Sequence, residues 1–332
     1  MNITGYFPER RTLLLFGLPV LVTYIIWLGY MYQMQEWSLF LDNWFMSVTM
    51  IFGSFIAGAS SEGGGAIAYP VMTLVFNISP DVARNFSLAI QSIGMTAATL
   101  WILAKRISIE KTYLLLSGFG GLAGIIIGTI WIAPLVPPDY AKMMFVSFWL
   151  SFGIALFVIN HIRKRDTRMT LPDLSNYQQL ELILVGIIGG ILSAIFGNGI
   201  DICTFSFVTL KYGLSEKIAT PTSVVLMTSN AIVGTLLHIF LLGDMQTEAF
   251  NYWLVCIPFV MLGAPFGAYL ITKINRITIA VMLYIIIIAQ FVAAFFIIRP
   301  SGYLIAISLL TFLSGIAVFF FLTSSYNKRS FN

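Results

Sequence analysis

The stretch Ala57-Gly-Ala-Ser-Ser-Glu-Gly-Gly-Gly-Ala-Ile-Ala-Tyr-Pro70 places three consecutive glycines and a carboxylate between two apolar runs. The flanking runs, residues 44–60 and 64–77, are short for a bilayer, since 14 residues make about 21 Å of helix against a ~30 Å hydrocarbon core. Backbone that is not helical at membrane depth must be covered by protein or line a cavity. We therefore predict that this stretch, the first break, lines a cavity.

A second, less regular copy follows as Phe196-Gly-Asn-Gly-Ile-Asp-Ile202. This second break also separates two apolar runs that we predict to be short, residues 180–196 and 200–212. We expect each pair of short runs to form a re-entrant helix hairpin, although two thin spans per pair stay open as an alternative.

The composition of the chain is that of a protein embedded in lipid. It has 332 residues, 58% of them hydrophobic and 10% charged, with a mean hydropathy of +0.91, whereas soluble domains are about 25% charged. We predict an all-α polytopic integral membrane protein of the cytoplasmic (inner) membrane. Its eight full-length apolar runs are 12–31, 82–104, 112–133, 139–162, 217–242, 250–273, 277–297 and 302–322.

The few polar residues exclude several function classes. The net charge of +4 comes from basic residues in loops, so no nucleic-acid surface is expected. Cys203 and Cys256 lie in apolar segments and are predicted to be small buried hydrophobes. With two histidines, no metal cluster or other cofactor is expected, and no His-Glu-x-x-His motif or facing Ser/His pair indicates an intramembrane enzyme.

The loop charges predict an orientation. If Arg10 and Arg11 lie in the cytoplasm, the predicted path of the chain across the membrane places Lys105, Arg106 and the segment His161–Arg165 there too. Both termini are then cytoplasmic. On this path, the first hairpin enters from outside and the second from inside.

The sequence also predicts two internal repeats. Residues 63–87 align with 199–223 with six identities in 25 positions, and Gly124-x-x-x-Gly128 corresponds to Gly263-x-x-x-Gly267. Opposite hairpin orientation predicts two inverted repeats, as in secondary transporters whose site lies at the midplane. The predicted divisions are an N-terminal helix (1–43), a first repeat (44–162), a cytoplasmic linker (163–179), a second repeat (180–298) and a C-terminal helix with its tail (299–332).

Three groups of residues carry a family resemblance: Glu62-Gly-Gly-Gly65 with Pro70, Gly197-Asn-Gly199, and Leu214-Ser-x-x-x-Ala219. Over residues 44–297 the pattern resembles the TauE/SafE (sulfite exporter TauE-like) permeases. That resemblance implies secondary transport of a small anion, such as sulfite, an organosulfonate or a carboxylate. Ile200 and Asp201 depart from the family's glycines, so selectivity peculiar to this chain is expected at the second break.

Helix N-termini at the two breaks would offer unpaired N–H groups and partial positive charge to an oxyanion. A polar stripe at helical spacing follows each break. The candidate substrate-binding residues are Ser61, Glu62, Gly63, Gly64, Gly65, Arg84, Ser87, Gln91, Gly197, Asn198, Gly199, Thr220, Ser223 and Asn230. The glycines could instead serve tight turns and helix packing.

Glu62 and Asp201 are the candidates for coupling, because a carboxylate at membrane depth costs about 2.5–3.5 kcal/mol and usually has a function. Each could cap its half-helix or carry a proton or a sodium ion. The predicted function is alternating-access transport of a small anion, with an anion channel of the same architecture as the alternative and with the question of a homodimer left open.

Overall fold

The computed structural model describes residues 10–60, 63–162, 167–270, 273 and 276–329. Within these ranges the chain forms helices and no β-strand, only an isolated bridge between Arg168 and Leu214. The helices are α1 (Arg10–Met34), α2 (Trp44–Ala59), α3 (Gly65–Val75), α4 (Pro80–Ala104), α5 (Lys111–Leu135), α6 (Pro138–Phe157), α7 (Asn176–Phe196), α8 (Ile200–Tyr212), α9 (Glu216–Leu241), α10 (Thr247–Leu270), α11 (Arg276–Ile298) and α12 (Gly302–Arg329).

Eight of the described helices are long and apolar enough to cross a membrane, namely α1, α4, α5, α6, α7, α9, α10 and α12. Their exposed side chains are mainly large apolar ones, as lipid requires. The predicted all-α polytopic membrane protein is confirmed.

One predicted length is wrong. The run at 180–196 was expected to be short, but α7 has 21 residues and can span alone. The apolar pattern missed its polar first turn, which begins at a capping box formed by Ser175 and Gln178. By contrast, α2 has 16 residues and meets the segment Glu36–Asp42 at a bend of 78°.

Helix α2 packs closely along α10. A Cβ added at Gly58 would lie 1.8 Å from the backbone oxygen of Ala264, and one at Gly267 would lie 2.1 Å from that of Phe55. Gly263 is equally close to Ser54. At Gly267 the close neighbour is backbone, which cannot move aside, so this glycine lets the two helix backbones touch.

Helix α7 packs on α5 in the same way. A Cβ at Gly124 would lie 2.1 Å from the backbone oxygen of Ile187, and one at Gly128 would lie 2.6 Å from the Cβ of Ala194. Each sequence motif of paired glycines therefore joins a helix of one half to the first helix of the other half.

The contacts also give helix directions. Asn85 at the start of α4 bonds Gln246 just before α10, while Gly94 further along α4 lies against Val260, so these two helices run parallel. Helix α9 runs opposite to α4, because Leu88 meets Gly234 and Thr99 meets Thr228. Opposite directions for corresponding helices are what an inverted repeat requires, and the repeat itself stays a prediction.

The prediction that both cysteines are buried holds for Cys256 alone. Both are free thiols; Cys256 is buried and Cys203 is partly buried.

Candidate functional site

The two breaks meet in the interior of the protein. A Cβ added at Gly65, the first residue of α3, would lie 3.2 Å from the backbone oxygen of Gly197 and 2.9 Å from the Cβ of Asn198. The start of α3 therefore lies against the residues that connect α7 to α8. The glycines of both breaks are buried.

Gly63 lies against three side-chain oxygens. Its φ of +66° is in the left-handed region that favours glycine. A Cβ there would lie 2.5 Å from Gln91 Oε1, 2.8 Å from Asp201 Oδ2 and 3.2 Å from Asn198 Oδ1. Four of the predicted site residues are thus neighbours. Gly64 packs beside them against the side chains of Met50 and Gln91.

Gln91 links α4 to the second break. Its Nε2 donates to the backbone oxygen of Gly197 at 2.7 Å and to that of Ser87 at 2.8 Å. Gly197 has φ +75° and ends α7 as a left-handed cap. A side chain at Gly197 would collide with Ser87 Cβ at 2.5 Å and with the backbone oxygen of Arg84 at 2.7 Å.

The first turn of α8 already uses two of its N–H groups. The N–H of Ile200 donates to Ser193 Oγ at 3.0 Å, and the N–H of Ile202 donates to Asp201 Oδ1 at 2.9 Å. Asp201 is only 1% exposed. Gly199 has an extended backbone and lies against Leu192, which brings α8 close to the end of α7.

The side chain of Arg84 makes polar contacts near the start of α4. Its Nε donates to Asn85 Oδ1 at 3.0 Å, and a terminal nitrogen pairs with Asp81 at 3.2 Å. Asn85 in turn donates to the backbone oxygen of Asp244, whose carboxylate bonds His238 at 2.7 Å. His238 is itself buried. Arg84 touches the second break through its backbone.

The predicted stripe of the second half lies on α9. Ser223 Oγ donates to the backbone oxygen of Thr220 at 2.9 Å, and both residues are buried in α9. Asn230 is fully buried beside Gly121 of α5, where an added Cβ would lie 2.7 Å from Asn230 Nδ2 and 2.1 Å from Ile200 Cδ1. Asn230 therefore adjoins the start of α8.

Ser61 and Glu62, both predicted site residues, lie outside the described residues. Ser60, just before them, is buried and donates through Oγ to the backbone oxygen of Ile56 at 2.8 Å. The role predicted for Glu62 stays a prediction.

Three residues beside the breaks were missed from the sequence. Ser193 caps the start of α8 as described above. Gln290 of α11 donates through Nε2 to the backbone oxygen of Ala66 at 2.9 Å, and Tyr113 bonds Thr204 at 2.7 Å. A polar residue in an apolar run is the only signal that marks them. In the described part of the chain, no group of three or more His, Cys, Asp or Glu residues could hold a metal ion.

The fold, with eight helices long and apolar enough to span a bilayer among the described residues, defines a polytopic helical membrane protein. The sequence model of one family, described as Sulfite exporter TauE/SafE, matches residues 45–296. The chain belongs to this family, which comprises membrane exporters of sulfite and related sulfur compounds and not enzymes. No curated protein and no solved structure matches the chain.

The membership has direct consequences. The protein is an integral membrane protein whose substrate class is a small anion, and the bilayer is its other partner. The expected resemblance to TauE/SafE is confirmed over the range proposed for it.

Proposed function

We propose that the protein is a secondary transporter of one small oxyanion, sulfite, an organosulfonate or a similar carboxylate, working by alternating access between two inverted repeats. The observation that carries the proposal is the close approach of Gly65 to Gly197 and Asn198. It joins the starts of two broken helices inside the protein, the arrangement that secondary transporters use at the midplane.

The anion is placed at the first turn of α3. The first N–H groups of a helix have no intrahelical partner and carry the positive end of its dipole. Gly63, Gly64 and Gly65 present this turn without Cβ atoms. The first turn of α8 is less suited to the anion, because Ser193 and Asp201 already accept from two of its N–H groups.

The burial of both breaks favours a transporter over an open pore. Thr99 meets Thr228 toward one end of α4, and Asn85 meets Gln246 at the other end. Both contacts join the first half to the second, so they would have to open in turn. The proposal keeps the two repeats and the terminal helices at the boundaries predicted from the sequence. It places the protein in the inner membrane with both termini in the cytoplasm. A proton or a sodium ion is the candidate coupling ion, and a homodimer is the candidate assembly.

The test is counterflow in proteoliposomes loaded with unlabelled anion. A transporter accumulates labelled anion transiently and saturates as its concentration rises, whereas a channel with the same architecture gives neither result. Sulfite, thiosulfate, a simple alkyl sulfonate, lactate and oxalate would be compared. Absence of counterflow for all five would overturn the proposal.

A further inference from the structure

Two buried side-chain oxygen atoms lie close to the same point in the site, and neither accepts a hydrogen bond from a described residue. Gln91 Oε1 and Asp201 Oδ2 both lie within 2.8 Å of one point, the position of a Cβ at Gly63. Each residue is 1% exposed, and no described residue donates a hydrogen bond to either atom. Unpartnered acceptors are costly in a dry interior, and a carboxylate oxygen most of all.

The orientation of the Gln91 amide is fixed by its surroundings. Its Nε2 lies 2.7 Å from the oxygen of Gly197 and 2.8 Å from that of Ser87. Turning the amide over would place Oε1 against two carbonyl oxygens, so the donor end must face them and Oε1 is the end that lies near Gly63.

The carboxylate of Asp201 is oriented in the same way. Its Oδ1 accepts from the N–H of Ile202 at 2.9 Å, and Oδ2 lies 2.8 Å from the Cβ position of Gly63. Asn198 Oδ1 lies 3.2 Å from the same point and adds a third oxygen. None of the ion pairs of the described residues includes Asp201.

The titratable groups near Asp201 supply no positive charge. Those among the described residues are Cys203 on its own helix and Tyr113 on α5, and neither is cationic in any protonation state. Outside Gly63 and its chain neighbours, the three heavy atoms nearest to this point are all oxygen atoms. A small cation would satisfy them, because hard cations take oxygen ligands and a proton can be shared between two oxygens.

We propose that one small cation, a proton or Na⁺, binds between Asp201 Oδ2 and Gln91 Oε1, with Asn198 Oδ1 beside it. A proton would reside on Oδ2 and donate to Oε1, whereas Na⁺ would be held by the three oxygens. The second half of the inference rests on the proposed function: the cation neutralises Asp201 and so must be bound before an anion can occupy the first turn of α3.

The first experiment needs no anion. Thermal unfolding of the purified protein is followed in NaCl and in choline chloride of equal ionic strength, and then over a pH series in choline chloride. A sodium site gives stabilisation that rises with Na⁺ concentration, and a proton site gives stabilisation that rises as the pH falls. Asp201→Asn, whose amide can donate to Oε1, should remove the response, while Asp173→Asn in the exposed linker should keep it.

Because other groups also titrate, the proton arm is read as the difference between the wild type and Asp201→Asn. No response in either arm, or a response that Asp201→Asn retains, overturns the inference. If Asp201→Asn does not fold, Gln91→Met replaces it and should weaken the cation response at least threefold; an unchanged response overturns the inference equally.

The second experiment measures the binding of an alkyl sulfonate, whose charge does not change over the pH range used. Removing the cation identified in the first experiment should weaken binding about tenfold, or 1.4 kcal/mol. A change of less than threefold overturns the order of binding. If no anion binds under any condition, the proposed function is wrong. The cation site is then judged by the first experiment alone.

Discussion

The side-chain amide of Gln91 donates through Nε2 to the backbone oxygen of Gly197 at 2.7 Å, so a helix of the first half holds the break of the second. The bond lies beside Gly63 and Gly65 of the first break. One side chain therefore touches both breaks, and any motion that separates the halves at this level must stretch or break its hydrogen bond.

Replacement of Gln91 by Met should damage both stability and transport. The variant keeps the apolar stem but leaves the oxygens of Gly197 and Ser87 without this donor, at a cost of about 1–3 kcal/mol in the free energy of unfolding. Thermal unfolding and counterflow are the measurements. Gln33→Met, at an exposed position of α1, is the matched control. Wild-type behaviour of Gln91→Met in both assays would contradict the assigned position of this amide.

Replacement of Gly63 by Ala should abolish transport. The methyl group would meet Gln91 Oε1 at 2.5 Å and Asp201 Oδ2 at 2.8 Å, in addition to the strain of a left-handed backbone. Gly243→Ala separates these two effects, since Gly243 has φ +63° and open space around its Cβ position.

Both alanine variants should lose roughly 1 kcal/mol of stability from backbone strain. Only Gly63→Ala should lose counterflow, measured at equal amounts of reconstituted protein. Equal activity in the two variants would show that strain alone matters and that the space at Gly63 does not.

Much of the fold could be predicted from the sequence because lipid imposes a simple rule on it. Spans such as α4 and α9 are continuous apolar runs, and the breaks stand out because glycines are rare beside carboxylates at that depth. The start of α7 could not be predicted in this way. Its first turn is polar, and its length depends on the capping box at Ser175, which an apolar pattern does not detect.

The site was predicted only in part, for a different physical reason. Spacing along one helix identified Ser87 and Gln91, and the structure brings both against the second break. Spacing cannot say which way a side chain points, so Arg84 was expected to face an anion although its guanidinium pairs with Asp81 and Asn85. The acceptor pair at Asp201 depends on contacts 110 residues apart in sequence.

The glycine contacts between helices should matter for stability. Gly267→Ala would force α10 away from α2, and Gly120→Ala would force α5 away from α7, where an added Cβ would lie 2.0 Å from the oxygen of Ile183. Backbone atoms cannot rotate away as side chains can. We therefore expect each substitution to lower the free energy of unfolding by about 1–3 kcal/mol, the range for an overpacked core.

Gly29→Ala is the control for those two variants, because nothing lies within 4 Å of its Cβ position in α1. It should be neutral or slightly stabilising, since alanine is the better helix former by about 0.5–1 kcal/mol. Thermal unfolding in one detergent ranks the three proteins. A melting temperature of Gly267→Ala or Gly120→Ala equal to that of Gly29→Ala would contradict the close packing.

A disulfide between α4 and α9 should block transport reversibly. Thr99 and Thr228 have hydroxyl oxygens 2.8 Å apart, so cysteines at both positions can pair with little movement. The two helices belong to different halves, and alternating access requires this contact to open. Ser147 and Ser308 form a matched pair, with oxygens 2.7 Å apart, that joins α6 to the C-terminal helix α12 and so does not link the two predicted repeats. In a background with Cys203 and Cys256 replaced by Ala, oxidation should stop counterflow in the Thr99/Thr228 double cysteine variant, and a reductant should restore the counterflow. Oxidation should leave counterflow unchanged in the Ser147/Ser308 variant.

Full counterflow through an oxidised, verified link between α4 and α9 would mean that the halves do not separate at this level. That result would exclude the proposed opening on that side.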